Sequence, residues 1–203
     1  MTLRALVLSD IHGSTKTVDL ANKYMGDLKA DCIVVCGDIT HFGSREWAAD
    51  IFNRFDGRVI GVTGNCDPLP VTKAYEDADG IHLHLSSYSL KGISFVGLSG
   101  CEHPMNEIEG FKRVAKKSHV YVFHVPPFGI LDKSGGGKHI GNSDLNGIIE
   151  ENQPLLVLSG HAHESPGILS REGITYLNPG PAVNGNAAFV EIEKEKLIDA
   201  KLL

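Results

Sequence analysis

The stretch that constrains this chain most is residues 33–40, Ile-Val-Val-Cys-Gly-Asp-Ile-Thr, an apolar run that ends on Gly37 and Asp38. Buried strands of parallel sheets read as near-continuous Val/Ile runs, and ligands of open α/β sheets gather just beyond the strands' carboxyl ends. Asp38 reads as standing at such an end. A lone Asp there is more often a turn residue than a ligand. Four further runs end alike, however: on Asp10 and His12, on Asn65 and Asp67, on His124, and on His161 and His163. Five strands that all finish on metal-ligand residue types are not explained by turn chemistry.

The pattern around these runs is β-α-β-α-β, which predicts a parallel sheet with right-handed crossovers. Residues 3–9 read as a strand. Residues 15–28 follow as a helix that turns Val18, Leu20, Ala21 and Tyr24 to the sheet, and Ser44 caps a second helix reaching about Phe55. Beyond Pro68 and Pro70 the pattern changes. Residues 81–85, 88–90 and 93–98 are short apolar runs with a hairpin at Lys91-Gly92, and they are expected to open a second sheet. Residues 107–117 and 143–151 read as helices, and the last third as short antiparallel strands with a turn at Asn178-Pro179-Gly180. The glycine run at 134–138 is not a phosphate-binding P-loop, because its first glycine is misplaced and His139 follows Lys138 where Ser or Thr belongs.

The chain of 203 residues, 42% hydrophobic, is expected to form one domain over 1–203. A net charge of -6 gives no footprint for nucleic acid or an anionic membrane, so neither partner is expected. Cys32, Cys36, Cys66 and Cys101 lack C-x-x-C spacing and read as free thiols. No apolar stretch approaches spanning length and no signal peptide opens the sequence, so a cytoplasmic location is expected.

Asp-x-His at 10–12, Gly37-Asp38, Gly64-Asn65-x-Asp67, His124 and Gly160-His161-x-His163, in this order, resemble the calcineurin-like metallophosphoesterase family. The resemblance runs from Asp10 to His163 and extends to the Asn178 turn. It implies a four-layer α/β/β/α sandwich of two mixed β-sheets with a dimetal site at their shared edge. Carried over residue by residue, it implies Asp10, His12, Asp38 and His163 on one metal and Asp38, Asn65, His124 and His161 on the other. Carboxylate and imidazole ligands without thiolate suit Mn, Fe, Zn or Ni, with manganese the leading expectation. The implied reaction is phosphodiester hydrolysis of a small substrate by a hydroxide bridging the metals, with Asn65, Cys66, Asp67 and His124 as catalytic positions. The relatives implied are those with Gly-Asn-Cys-Asp, which look like phosphodiesterases. The alternative is a scaffold on the same fold with little turnover. A homodimer is left open.

Cys66 stands where the family more usually has His, which assists the leaving group. A thiol of reference pKa about 8.5 is a weaker donor than imidazole, so esters with good leaving groups are expected. His41, His103 and His139 are the further candidates for touching a phosphate or supplying that proton. His82 and His84, alternating on an expected strand, read as solvent-facing or hydrogen-bonded. The glycine loop is weighed evenly as a mobile substrate-selecting segment or a plain connector.

Overall fold

The computed structural model describes residues 1–100, 103, 105–116 and 118–203. The first half alternates β1 (Thr2–Leu8), α1 (Thr15–Leu28), β2 (Cys32–Cys36), α2 (Arg45–Asn53), β3 (Val59–Val62), α3 (Ala74–Asp77) and β4 (Ile81–His82). The second half holds β5 (Ser87–Leu90), β6 (Ile93–Leu98), α4 (Met105–Ala115), β7 (Val120–Phe123), α5 (Asp144–Asn152), β8 (Leu156–Leu158), β9 (Gly167–Arg171), β10 (Ile174–Asn178), β11 (Ala188–Glu193) and β12 (Lys196–Leu202).

Two six-stranded mixed sheets result, ordered β12-β11-β1-β2-β3-β4 and β5-β6-β7-β8-β10-β9. Within the first, β1 to β4 are parallel and β11 is antiparallel to both β1 and β12. Within the second, β6, β7, β8 and β10 are parallel, with β5 and β9 as antiparallel edges.

Strand side chains alternate between faces, and here both faces are apolar. Leu6, Leu8, Ile33 and Val35 meet Val18, Ala21, Met25, Ile51, Phe52 and Tyr75 beneath α1 to α3. Their neighbours Ala5, Val7, Val34, Ile60 and Val62 face Phe95, Val120, Val122, Leu156 and Leu158 of the other sheet. The far faces of β6, β7 and β8, with Val96, Tyr121, Phe123 and Val157, pack under Ile108 and Phe111 of α4 and Ile148 and Ile149 of α5. The layers therefore run α/β/β/α, and burial on both faces is why the strands read as unbroken apolar runs.

Three local expectations change. Residues 81–85 do not open the second sheet: Ile81 and His82 pair with Ile60 and Gly61 of β3, and Leu85 turns left-handed at φ 52°, so the second sheet starts at β5. The crossover feeding β4 is a 3₁₀ turn at Leu69–Lys73 with a single turn of α3, too short to show a helical period. On α1 the inward residues are Thr17, Val18, Ala21 and Met25, whereas Leu20 and Tyr24 are only half-buried. The Ser44 cap forms, its Oγ accepting from the Trp47 amide at 3.3 Å. Ser143 precedes α5 without a side-chain cap, and the Asn142 side chain accepts from the Asp144 amide instead.

Cys32, Cys36 and Cys66 are free and buried, while Cys101 lies outside the described residues. Among the described residues no helix is long and apolar enough to cross a membrane.

Candidate metal centre

The carboxyl ends of β1, β2 and β3 in one sheet and of β7 and β8 in the other converge on one edge. Asp10 and Asp38 are buried there. The ligand atoms of Asp10, His12 and His163 lie within 4.8 Å of one another, and so do those of Asp10, Asp38 and His124. His12 Nε2 stands 4.0 Å from both Asp10 Oδ1 and Asp38 Oδ2. His124 Nε2 is 2.9 Å from Asn65 Oδ1 and 3.6 Å from Asp38 Oδ1. The His161 ring meets that of His124 edge-on at 5.0 Å. All seven residues expected as ligands are thus neighbours, and Asp38 lies between the two groups.

The loops are shaped to bring them in. Asp10, His12, Asp38 and His161 all have left-handed backbones, with φ of 55°, 49°, 51° and 62°. Such strain costs of order 1–3 kcal/mol per residue and clusters at functional sites. The glycines before the ligands serve as clearance. A Cβ on Gly64 would lie 2.1 Å from Asp38 Oδ1, and one on Gly37 would lie 2.6 Å from His124 Nδ1. Gly37 and Gly64 are therefore needed so that ligands from neighbouring strands can close over them.

The polar contacts ask for a cation. His124 Nδ1 lies 2.8 Å from the Cys36 carbonyl, an acceptor, so Nδ1 carries the hydrogen. On a neutral ring Nε2 then offers a lone pair. It faces only acceptors, Asn65 Oδ1 and Asp38 Oδ1. Asn65 is turned that way because its Nδ2 donates to Cys66 Sγ at 3.3 Å. Among the described residues His12 Nδ1 is buried with no hydrogen-bond partner. Burial pushes the Asp10 carboxyl up, but the bond from His163 and the nearby His124 together hold it below its usual range. His163, bonded to Asp10 at 3.0 Å, is correspondingly raised. Burial, and then His124, lower His161. Carboxylate, imidazole and amide oxygen donors converging in this way fit divalent ions of the Mn, Fe, Zn and Ni type.

The remaining candidates part company. Cys66 is buried, its amide donating to Asp38 Oδ1 at 2.8 Å. Burial first, and then Asp38, push its thiol up to about 12. His41 is exposed beside it: donor atoms of His12, His41 and Cys66 lie within 4.8 Å of one another. Asp67 is clamped, with Oδ1 accepting from Thr40 N and Oγ1 at 2.8 and 3.0 Å and Oδ2 from Ile39 N and Gly64 N at 3.0 Å each. It holds the Asp38 loop to the Asn65 loop, which makes it a positioning residue. His139 joins none of these groups and instead pairs with buried Asp132 at 2.6 Å. His103 has a fully buried side chain, 3.9 Å from Glu107. The glycine loop closes as a tight turn, Ser134 N donating to Lys138 O at 2.9 Å, and is tied at Lys133 to Ser165.

Sequence reasoning had no signal for the Thr40–Asp67 clamp. It found the Asn178 turn without its task, which is to hold the His161–His163 loop: Asn178 Nδ2 donates to the Ala162 carbonyl at 2.9 Å. A surface opening of about 570 Å³ lies by His119, Gln153 and Leu155 at the amino ends of β7 and β8. That is the edge opposite these residues.

Residues 3–194 match the calcineurin-like phosphoesterase superfamily domain. The chain belongs to this superfamily. An uncharacterized protein of Methanocaldococcus jannaschii is 29% identical over 205 residues, covering 88% of each chain. A dimetal phosphatase of Danio rerio superposes with TM-score 0.71 at 12% identity, over 98% of both chains. A novel archaeal phosphodiesterase superposes with TM-score 0.63 at 17% identity, over 99% of both. At such identities the two structures show that this phosphoesterase shares their fold.

Proposed function

We propose that this phosphoesterase hydrolyses phosphodiesters of small molecules with two divalent ions, manganese first among them, and that the whole chain acts as one catalytic unit. The observation that carries the reading is the set of seven donors from both sheets, with His124 Nε2 turned toward Asn65 Oδ1 and Asp38 Oδ1. Asp10, His12, Asp38 and His163 would hold one ion and Asp38, Asn65, His124 and His161 the other. Two such ions supply charge neutralisation at phosphorus and lower the pKa of a bound water.

The chain's own residues do the rest. Asp38 would be shared by both ions, Asp67 fixes the two loops that present Asp38 and Asn65, and the Cys36 carbonyl keeps the His124 ring in one orientation. Cys66, held neutral by burial, cannot supply the leaving group with a proton as imidazole does. His41, exposed at the rim, is the imidazole placed to meet the ester oxygens. A diester with an aryl leaving group needs no proton on departure, which favours diesters over alkyl monoesters. Its single negative charge also suits a site lined with carboxylates. The free buried cysteines suit a reducing cytoplasm.

The test is elemental analysis of the purified protein together with assays on aryl phosphodiesters, cyclic nucleotides and phosphomonoesters in Mn, Ni, Zn and Mg. Two metals per chain and a preference for diesters are expected. Asp38→Asn should remove metal and activity together. Two tightly held metals in that variant would overturn the bridging role, and a preference for monoesters would overturn the substrate class.

A further inference from the structure

The metal-type residues occupy only part of the edge where the two sheets meet. Beyond β3 in one sheet comes β4, and beyond β7 in the other comes β6. Between the carboxyl ends of β4 and β6 lies a cavity of about 260 Å³, lined among others by Asp67, Thr72, His82, His84, Ser99 and Glu107. Asp67 belongs to the loop that carries Asn65, so the cavity opens beside the metal centre. Ligand pockets for whole small molecules run from roughly 300 Å³ upward, so this one suits part of a ligand.

Its polar atoms are set by the backbone. Ser99 Oγ accepts from the Thr63 amide at 3.1 Å and pairs with His82 Nε2 at 3.0 Å, and the Ser99 amide donates to His84 Nδ1 at 3.1 Å. With Nδ1 accepting, the His84 hydrogen sits on Nε2, which has no protein partner among the described residues. Among the described residues His103, its side chain buried 3.9 Å from Glu107, has no hydrogen-bond partner on either nitrogen. Buried polar groups are almost always paired, so the half-buried His84 N–H, lining an open cavity without a protein partner, points to a ligand. Burial lowers His84, and it brings His82 and His103 down to about 4, so the three rings are neutral near pH 7. The charged residues lining the cavity are Asp67 and Glu107, with no Lys or Arg among them. Such a lining repels a second phosphate or carboxylate, and Glu107 accepts hydroxyl protons as carboxylates do from ribose.

We infer that this cavity is the subsite for one organic arm of the phosphodiester, and that this arm is a neutral, hydroxyl-bearing group such as a sugar or polyol. Glu107 accepts its hydroxyl protons, and His84 donates to one of its oxygens from Nε2. The inference rests on the phosphodiesterase reading above, and the experiment separates the two.

Two p-nitrophenyl diesters with the same leaving group are compared, one of uridine 5′-phosphate and one of methyl phosphate. Wild type should favour the uridine ester in kcat/KM. Glu107→Gln and His84→Ala should each reduce that preference about tenfold, the scale of one hydrogen bond to a charged or buried group. Glu109→Gln, two residues on and on the exposed side of α4, should leave the preference as it is. An unchanged preference in Glu107→Gln and His84→Ala overturns the subsite. Independently of turnover, free uridine added to the metal-free protein should shift the imidazole NMR signals of His82 and His84. Shifts without hydrolysis of either ester would leave the subsite standing and overturn the phosphodiesterase reading, and absence of shifts overturns the subsite.

Discussion

Gly64 shows at the scale of a single residue how little room the centre leaves. Its missing side chain is filled by Asp38 Oδ1, 2.1 Å from where a Cβ would stand. Gly64→Ala must push Asp38 or the β3 loop aside, at about 1–3 kcal/mol for overpacking, and should release metal. Gly136→Ala, where a Cβ would meet nothing within 4 Å, is the matched control and should keep its metal. Elemental analysis with thermal unfolding of both variants checks this, and equal metal content would refute the clearance argument. Cys66 gives the second prediction. Cys66→His restores an imidazole beside the ester oxygens, and turnover should rise by on the order of tenfold or more for alkyl leaving groups, against little change for p-nitrophenolate. Equal or reduced rates on both, with metal intact, would assign the proton to His41. The new ring would have to orient itself, since neighbouring Asp67 has both oxygens taken by backbone amides and Thr40.

At the scale of elements, the segment from β4 to the start of α4 carries a pH signature. Burial lowers His82 and His103 from 6.5 to about 4, so between these values the unfolded chain binds protons that the folded one refuses. Stability should therefore fall as pH drops from about 6.5 toward 4 and level off below it, with a slope of at most about 1.4 kcal/mol per pH unit for each ring. Urea unfolding across this range checks it, and His82→Asn should flatten the slope. This same segment marks the limit of what sequence pattern could reach. The strands that end on Asp10, Asp38, His124 and His161 were legible because both of their faces are buried, which leaves an unbroken apolar run before each ligand. β4 was assigned to the wrong sheet because its two paired residues hold no period, and what decides its partner is the crossover through α3. The Asp67 clamp and the Asn178 brace escaped for another reason: side-chain bonds to distant backbone leave no spacing in the sequence.

At the scale of the molecule, the candidate metal centre draws on both sheets. Asp10, His12, Asp38 and Asn65 come from one sheet, His124, His161 and His163 from the other, and between them lies the shared apolar layer of Val7, Val34, Val62, Val122 and Leu158. Ions that bind only the folded chain stabilise it by mass action, about 2.7 kcal/mol for each site at a hundredfold excess over Kd. Chelation should lower Tm by several degrees and readdition of manganese restore it. An unchanged Tm would mean that the sheets hold the donors in place unaided.

β1 has a neighbour that reaches it late. The strand leading into Asp10 pairs with β2 on one side and with β11 on the other, and β11 follows every other element except β12 in the sequence. The turn at Pro181, which bridges to Ser9, also follows the His161 loop. A chain made from its N-terminus thus exposes the bare edge of β1 while nearly all the remaining elements are synthesised, roughly ten seconds or more at 5–20 residues per second. Unpaired edges of this kind invite pairing with other chains. During that interval Asp10, His12 and Asp38 exist without the frame that aims them, so the candidate metal centre takes shape in the last moments of folding and the nascent chain depends on protection until β11 arrives.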